Sequence, residues 1–264
     1  MAHRIAVIAG DGIGTEVMPE GIRALEATAK RFNIDLEFTT FEFGSCDYYL
    51  EHGKMLPDDW VEQLKGFDAL FYGAVGWPEK VPDHISLWGS LLQFRRQFDQ
   101  YINLRPVVLY PGVETPLAGK GPEDIDFVVV RENTEDLYAV GSQGINVTTD
   151  LAIDFRIITS QGSERIIEAA FDHAKRNGKT RVTIVTKANI VKTTDGKFLD
   201  IAREVSEGYP GIEWDGWYID IMTAKLLDRN RRSEFQVLVL PNLYGDILTD
   251  EAAEIQGGVG TAGS

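Results

Sequence analysis

The amino-acid sequence predicts an α/β protein, and three observations carry that prediction. Short apolar runs rich in β-branched residues alternate with amphipathic stretches of helical length, the pattern of strands interleaved with helices. Turn-forming residues separate them, as in GDGIG at 10–14, GAVGWP at 73–78 and Pro241 after Leu240. The strand–glycine–helix opening nevertheless fails the dinucleotide fingerprint, because the sixth position counted from Gly10 is Thr15 and from Gly12 is Val17. A Rossmann subtype is therefore unsupported, and no Gly-Lys-Ser/Thr completes a phosphate loop.

Taken in order, Arg4–Ala9 reads as a strand, followed after GDGIG by a helix from about Glu16 to Arg31. Leu36–Phe43 is a second strand, Asp58–Lys65 a short helix and Ala69–Tyr72 a third strand ending in GAVGWP. Ser86–Gln100 is helical by pattern. From about Tyr101 to Thr159 extended segments replace the strand–helix rhythm, among them a strand at Phe127–Arg131, and this change suggests a second domain. Glu164–Arg176 is an amphipathic helix stopped by Asn177-Gly178, Val182–Val185 a strand and Gly196–Glu207 a helix. Phe235–Leu240 suits a buried strand that Pro241 ends. A turn is then expected at Asn242–Gly245, and a helix at Asp246–Ile255.

At 264 residues the chain can bury a sizeable core. Its 44% hydrophobic and 25% charged content is that of an ordinary globular protein, and the net charge of −15 argues against nucleic acid or an anionic membrane as partner. A single cysteine, Cys46, excludes an internal disulfide, suits packing better than catalysis and fits a reducing, cytoplasmic setting. No stretch approaches membrane-span length, and the opening MAHRIAVIAGDG is broken by glycine too soon for a signal peptide. His3, His52, His84 and His173 have no ligand spacing.

Several side chains stand out chemically. Asp246 and Asp250 lie four apart, so on a helix both carboxylates leave one face. Hard oxygen ligands suit Mg²⁺ or Mn²⁺, although acidic residues near a helix start also answer the helix dipole, and on spacing alone that second reading comes first. Arg95, Arg105 and Arg131 stand at the ends of predicted elements. Together they could grip a small di- or tricarboxylic acid through bidentate forks, whereas any one alone reads as a surface ion pair. Lys187 directly follows an apolar strand, where burial or a nearby cation could fit it for base duty. Tyr138 and Asp220 complete the set.

Taken together, these stretches resemble the β-decarboxylating dehydrogenases, the family of isocitrate, isopropylmalate and tartrate/D-malate dehydrogenases. The matching pieces are GDGIG at 10–14, GAVGWP at 73–78, LLQFRR at 91–96, NLRP at 103–106, RENTEDLYA at 131–139, TKAN at 186–189, the Asp220 segment and NLYGDILTD at 242–250. They occur in the family's order along almost the whole chain. The resemblance implies a two-domain α/β fold unlike the Rossmann one. A cofactor-side domain would comprise 1–100 with 251–264, and a substrate, metal and dimerisation domain 101–250. It places substrate carboxylates on Arg95, Arg105 and Arg131, and Mg²⁺ or Mn²⁺ on Asp246 and Asp250 with Asp220 from the neighbouring subunit of a homodimer. Lys187, also from the neighbour, would be the base toward the 2-hydroxyl, and Tyr138 the acid that protonates the enol after CO₂ leaves. Asn189 would touch the nicotinamide amide of NAD, with the turn at Ala74, Val75 and Gly76 near the cofactor.

Substrate choice in the family is set just ahead of Arg95. Isocitrate enzymes place a serine and an asparagine there, and isopropylmalate enzymes a glutamate and paired leucines. Here the stretch reads PDHISLWGSLLQFRR, with Trp88, Ser90 and Leu91. It is similar to the tartrate/D-malate group, whose bulk shortens the pocket for a four-carbon acid, while the second half of the chain is more similar to NAD-linked isocitrate dehydrogenases. Oxidative decarboxylation of D-malate or tartrate with NAD is the activity implied. Isocitrate or 3-isopropylmalate oxidation is the alternative within the family, and a non-catalytic regulatory subunit the alternative outside catalysis, against which the intact Tyr138, Lys187 and aspartates argue. The sequence ends at GGVGTAGS, where the family continues into a glycine-rich cofactor loop. The first domain is accordingly expected to lack its C-terminal continuation, and the residues that separate NAD from NADP are not in view.

Overall fold

A computed structural model of the chain describes residues 2–140, 144–228, 230 and 234–263, and divides it into two compact units, 1–99 and 100–264.

In the first unit, β1 (His3–Ile8) is the centre of a three-stranded parallel sheet, flanked by β2 (Leu36–Thr40) and β3 (Ala69–Tyr72). Its helices are α1 (Ile13–Phe32), α2 (Cys46–His52), α3 (Trp60–Leu64), α4 (Asp83–Gly89) and α5 (Leu91–Gln97). Two sequence expectations are corrected here. The single helix expected over 86–100 is two, broken at Ser90, whose φ of −132° and ψ of −86° are not helical. The second strand stops at Thr40 rather than Phe43, because Phe41 and Phe43 leave the sheet to join the core with Met55, Leu56, Trp60, Leu64 and Phe94. Helix α2 was not foreseen, yet Ser45 caps it by accepting from the Tyr48 N–H at 3.1 Å.

The second unit is built on a five-stranded sheet. Its strands are β4 (Ile102–Val108), β5 (Asp126–Glu132), β8 (Arg181–Thr186), β9 (Glu213–Tyr218) and β10 (Val237–Leu240), in the order β4-β5-β10-β8-β9. Only β4 runs antiparallel. The short helix α6 (Leu137–Val140) and a small antiparallel arm, β6 (Ile145–Asn146) with β7 (Ala152–Ile153), lie outside that sheet.

The buried run VLVL of β10 follows from helices covering both faces of the sheet. Val237 and Val239 pack with Ile166, Ile167, Phe171 and Phe198 of α7 (Ser160–Arg176) and α8 (Thr194–Ser206). Leu238 and Leu240, pointing the other way, pack with Met222 and Leu226 of α9 (Ile219–Leu226) and Leu248, Ala252 and Ile255 of α10 (Asn242–Ile255). Each such fully buried aliphatic side chain contributes about 1.5–3 kcal/mol. The turn expected at 242–245 is instead the first turn of α10, with Pro241 as its N-cap residue; a proline there sacrifices no helical hydrogen bond. Residues 251–255 complete α10, and Ala252 and Ile255 belong to the core of the second unit. Among the described residues no helix is long and apolar enough to cross a membrane.

Candidate active site

Parallel strands aim their carboxyl ends at one edge of a sheet, where α/β proteins bind ligands. Register places Arg131 of β5 beside Leu240 of β10, and Thr186 of β8 beside Tyr218 of β9. The candidate residues of the second unit follow from these ends and form two groups.

The first group gathers around Asp246. Arg131, 1% exposed, donates from Nη1 to Asp246 Oδ1 at 2.5 Å, and the Tyr138 hydroxyl donates to Asp246 Oδ2 at 2.8 Å. Asn242 holds the rest of the guanidinium, accepting from Nη2 at 2.8 Å on its side-chain oxygen and from Nε at 3.0 Å on its carbonyl. Gly245 makes this approach possible, since a Cβ there would stand 2.4 Å from Arg131 Cγ. Arg105 donates to the Thr249 hydroxyl at 2.6 Å and to Asn103 at 3.1 Å, with Asp250 3.9 Å away. Burial lowers the Arg105 pKa from its ordinary value, and the like charge of Arg131 lowers it further. Two guanidiniums that repel each other can take up the charge of a small polyanion. Beside them a hollow of about 240 Å³ is lined by Arg105, Thr249, Asp250, Gln256 and Val259.

The second group stands at the ends of β8 and β9. Lys187 Nζ donates to Asp220 Oδ1 at 2.5 Å, and this hydrogen bond lowers the Asp220 pKa from the usual carboxylate value. The backbone N–H of Lys187 donates to Asp195 at 2.6 Å. Asn189 Oδ1 is buried and has no hydrogen-bond partner among the described residues, which suits it to accept from a cofactor carboxamide.

The chemistry of Asp246, Asp250 and Asp220 fits a hard divalent cation. Asp246 and Asp250 share α10 at helical spacing, but among the described residues no three His, Cys, Asp or Glu side chains are grouped so as to hold a metal ion. A single chain therefore does not assemble the three aspartates.

The remaining candidates belong to the first unit. Ala74, Val75 and Gly76 form a turn locked to the GDGIG loop: the Asp11 N–H donates to the Ala74 carbonyl at 2.7 Å, and Asp11 Oδ2 accepts from the Gly76 N–H at 2.9 Å. A Cβ on Gly10 would meet the Ala74 oxygen at 1.9 Å, so only glycine fits there. Asp11 Oδ1 also accepts from the Cys46 N–H at 2.7 Å. Cys46 is fully buried, and burial followed by Asp11 pushes its thiol up to about 11, which agrees with a packing role. Trp88 is half-buried on α4, with the Arg96 guanidinium 5.9 Å from its ring centroid. Ser90 is buried and donates to the Ser86 carbonyl at 2.5 Å, while Leu91 and Arg95 are half-buried on α5. Sequence reasoning missed Asp11, Asn242 and Thr249. All three sit inside motifs quoted for other residues, GDGIG and NLYGDILTD, and bear no mark of their own.

The model of the isocitrate/isopropylmalate dehydrogenase family matches residues 4–264. The chain is 51% identical, over 100% of its own length and 72% of the relative's, to a tartrate dehydrogenase/decarboxylase of Pseudomonas putida. It is 50% identical to a D-malate dehydrogenase [decarboxylating] of Escherichia coli (strain K12), over 99% of this chain and 72% of that one. Among solved structures, an isocitrate dehydrogenase from Methylococcus capsulatus matches with a TM-score of 0.84 and 34% identity, covering 98% of this chain and 73% of the other.

Proposed function

The chain belongs to the isocitrate/isopropylmalate dehydrogenase family, and from that premise we propose that it oxidatively decarboxylates D-malate or tartrate with NAD and a divalent metal. The observation that carries this reading is Asp246, one carboxylate shared at hydrogen-bond distance by Arg131 and Tyr138. It sets an anion-binding fork, an acid and a metal ligand at one point. Arg105 and Arg131 hold the substrate carboxylates, joined by Arg95. Asp246 and Asp250 hold Mg²⁺ or Mn²⁺ with Asp220 of a second subunit. When bound, the divalent cation would supply charge stabilisation for a developing enolate and NAD would supply the acceptor for the C2 hydride. Lys187 takes the 2-hydroxyl proton, and after C3 loses CO₂ the Tyr138 hydroxyl returns a proton to that carbon. Asn189 orients the carboxamide, and the turn at Ala74, Val75 and Gly76 lies beside the cofactor.

Sharing between subunits of a homodimer is supported by exposed apolar surface on the second unit. Ile145, Val147, Leu151, Ile153, Phe155 and Ile157 on and after the β6–β7 arm are each between 39% and 49% exposed. Ile221 of α9 and Ile247 of α10 are likewise exposed, and such a surface is one that a second copy would cover.

The test is a screen of D-malate, the tartrates, isopropylmalate and isocitrate against NAD⁺ and NADP⁺, with and without Mn²⁺. Metal-dependent NADH and CO₂ formation from D-malate or tartrate is expected. Turnover of isocitrate or isopropylmalate in preference would refute the substrate, and no turnover of any acid would refute the reaction.

A further inference from the structure

A buried ion network with no assigned role ties the two catalytic groups of the second unit together. At its centre is Arg156, whose side chain is 16% exposed, facing Asp136 and Asp195, whose side chains are 0% exposed. Arg156 donates from Nε to Asp136 Oδ1 at 2.5 Å, from Nη2 to Asp136 Oδ2 at 3.1 Å and from Nη1 to Asp195 Oδ1 at 2.5 Å. The same Nη1 donates to the Tyr244 hydroxyl at 2.8 Å, and the guanidinium lies 4.3 Å from the centroid of that ring.

The outer oxygens of both carboxylates hold backbone that leads to the chemistry. Asp136 Oδ2 accepts from the N–H of Leu243 at 2.9 Å, in the first turn of the helix that carries Asp246 and Asp250. Asp136 itself stands two residues before Tyr138. Asp195 Oδ2 accepts from the N–H of Lys187 at 2.6 Å. One guanidinium thus fixes three segments, those bearing Tyr138, Lys187 and the aspartate pair, which are far apart in sequence.

We propose that Arg156 is a positioning residue for this reaction, acting through Asp136 on Tyr138 and the metal helix and through Asp195 on Lys187. The inference rests on the proposed function for the roles of those residues, but the network itself does not. Three facts favour positioning over simple packing. Asp136 is held at φ +66°, a left-handed conformation that glycine would adopt more cheaply, so the side chain stands there against a backbone cost. Two buried carboxylates against one cation would be a poor choice for stability alone. Asp136 Oδ2 and Asp195 Oδ2 each accept from a main-chain N–H, that of Leu243, three residues before Asp246, and that of Lys187 itself. Lysine could keep the charge at this position, but it cannot make a bidentate fork to Asp136 while reaching Asp195.

The variants to make are Arg156→Lys and Asp195→Asn, each compared with wild type at saturating Mn²⁺. For Arg156→Lys, kcat is expected to fall about a hundredfold, the loss a misplacement near 1 Å produces, while the KM for D-malate moves less than about threefold. By hydrogen-exchange mass spectrometry of the ligand-free protein, peptides containing Lys187 and Leu243 should exchange about tenfold faster. Asp195→Asn should lower kcat similarly and speed exchange at Lys187 while leaving Leu243 unchanged, and it decides the matter if the lysine variant does not fold. A kcat within about threefold of wild type, a change confined to KM, or unaltered exchange at Lys187 would each overturn the proposal. If wild type turns over none of the acids, the proposed function fails, and the exchange pattern then stands or falls separately.

Discussion

The two groups of candidate residues in the second unit differ in how far the chain completes them. Around Arg131 every nitrogen of the guanidinium has an acceptor from the same chain, and the side chain is 1% exposed. Around Lys187 the partner carboxylate, Asp220, is 65% exposed, and its neighbours Ile190, Tyr218 and Ile221 also face outward. Buried, saturated polar clusters are rigid and preset, whereas an exposed ion pair ringed by apolar side chains is a surface awaiting cover. The first group is a polar cluster the fold finishes by itself. The second is left open, the arrangement that the proposed sharing between subunits would complete.

The sharpest break between them should appear in stability. Arg131→Met leaves Asp246 and Asn242 without their cation; Asp246 is 42% exposed, so the loss should exceed about 1 kcal/mol but fall below the about 3–5 kcal/mol of a fully buried pair. Asp220→Asn, at an exposed position, should change stability by less than about 0.5 kcal/mol. It should nonetheless raise the Mn²⁺ concentration needed for half-maximal activity by about tenfold, because one charge of the ligand set is lost. Thermal denaturation and metal titration of both variants test this contrast, and equal destabilisation by the two would dissolve it.

Tyr138→Phe isolates chemistry within the saturated group. The ring stays, 5.4 Å from the Arg131 guanidinium, while the hydroxyl bonded to Asp246 is lost. Turnover should fall by about 10²–10⁴, the usual worth of a general acid, with the metal requirement little changed. Unaltered turnover under conditions where chemistry limits the rate would remove Tyr138 from the mechanism.

Much of this site was legible in the sequence, for a physical reason. Motifs such as RENTEDLYA and NLYGDILTD are local, and each residue they name sits at a strand or helix end fixed by the same few residues. Buried strands such as VLVL were legible because both of their faces are covered. The start of α10 was misread because proline ends strands and also begins helices, and no neighbour in sequence says which. The break at Ser90 was invisible because helical periodicity continues across it. Arg156, Asp136 and Asp195 could not be united at all, since only the fold of the second unit brings positions 136, 156 and 195 to one buried point.

Sharing itself is broken or sharpened by mixing subunits. Lys187→Ala and Asp246→Asn chains should each be nearly inactive alone. Mixed dimers would pair an intact Asp246 with the partner's intact Lys187 at one of two sites. Random reassortment makes about half the dimers mixed, so recovery of up to about a quarter of wild-type activity is expected. No recovery, with mixed dimers demonstrated by native mass spectrometry, would place both groups in one chain's site.

The smallest effect should come from the first unit, where Trp88 is a candidate for setting substrate length. Its indole lies on α4 beside a hollow of about 650 Å³ that Met55, Trp60, His84 and Gln93 also line. The carbonyl of Trp88 accepts from Gln93 at 3.0 Å, which ties α4 to α5 and the Arg95 segment. Replacement by alanine removes the bulkiest group of the specificity stretch while leaving that carbonyl bond in place. The ratio of kcat/KM for isopropylmalate over D-malate should then rise about tenfold, the scale of discrimination that shape alone achieves in an apolar pocket. Packing against Met55 and Trp60 predicts a different result: a lowered thermal midpoint with the ratio unmoved. The two measurements made on one variant therefore separate a substrate-facing indole from one that serves only the first unit's core.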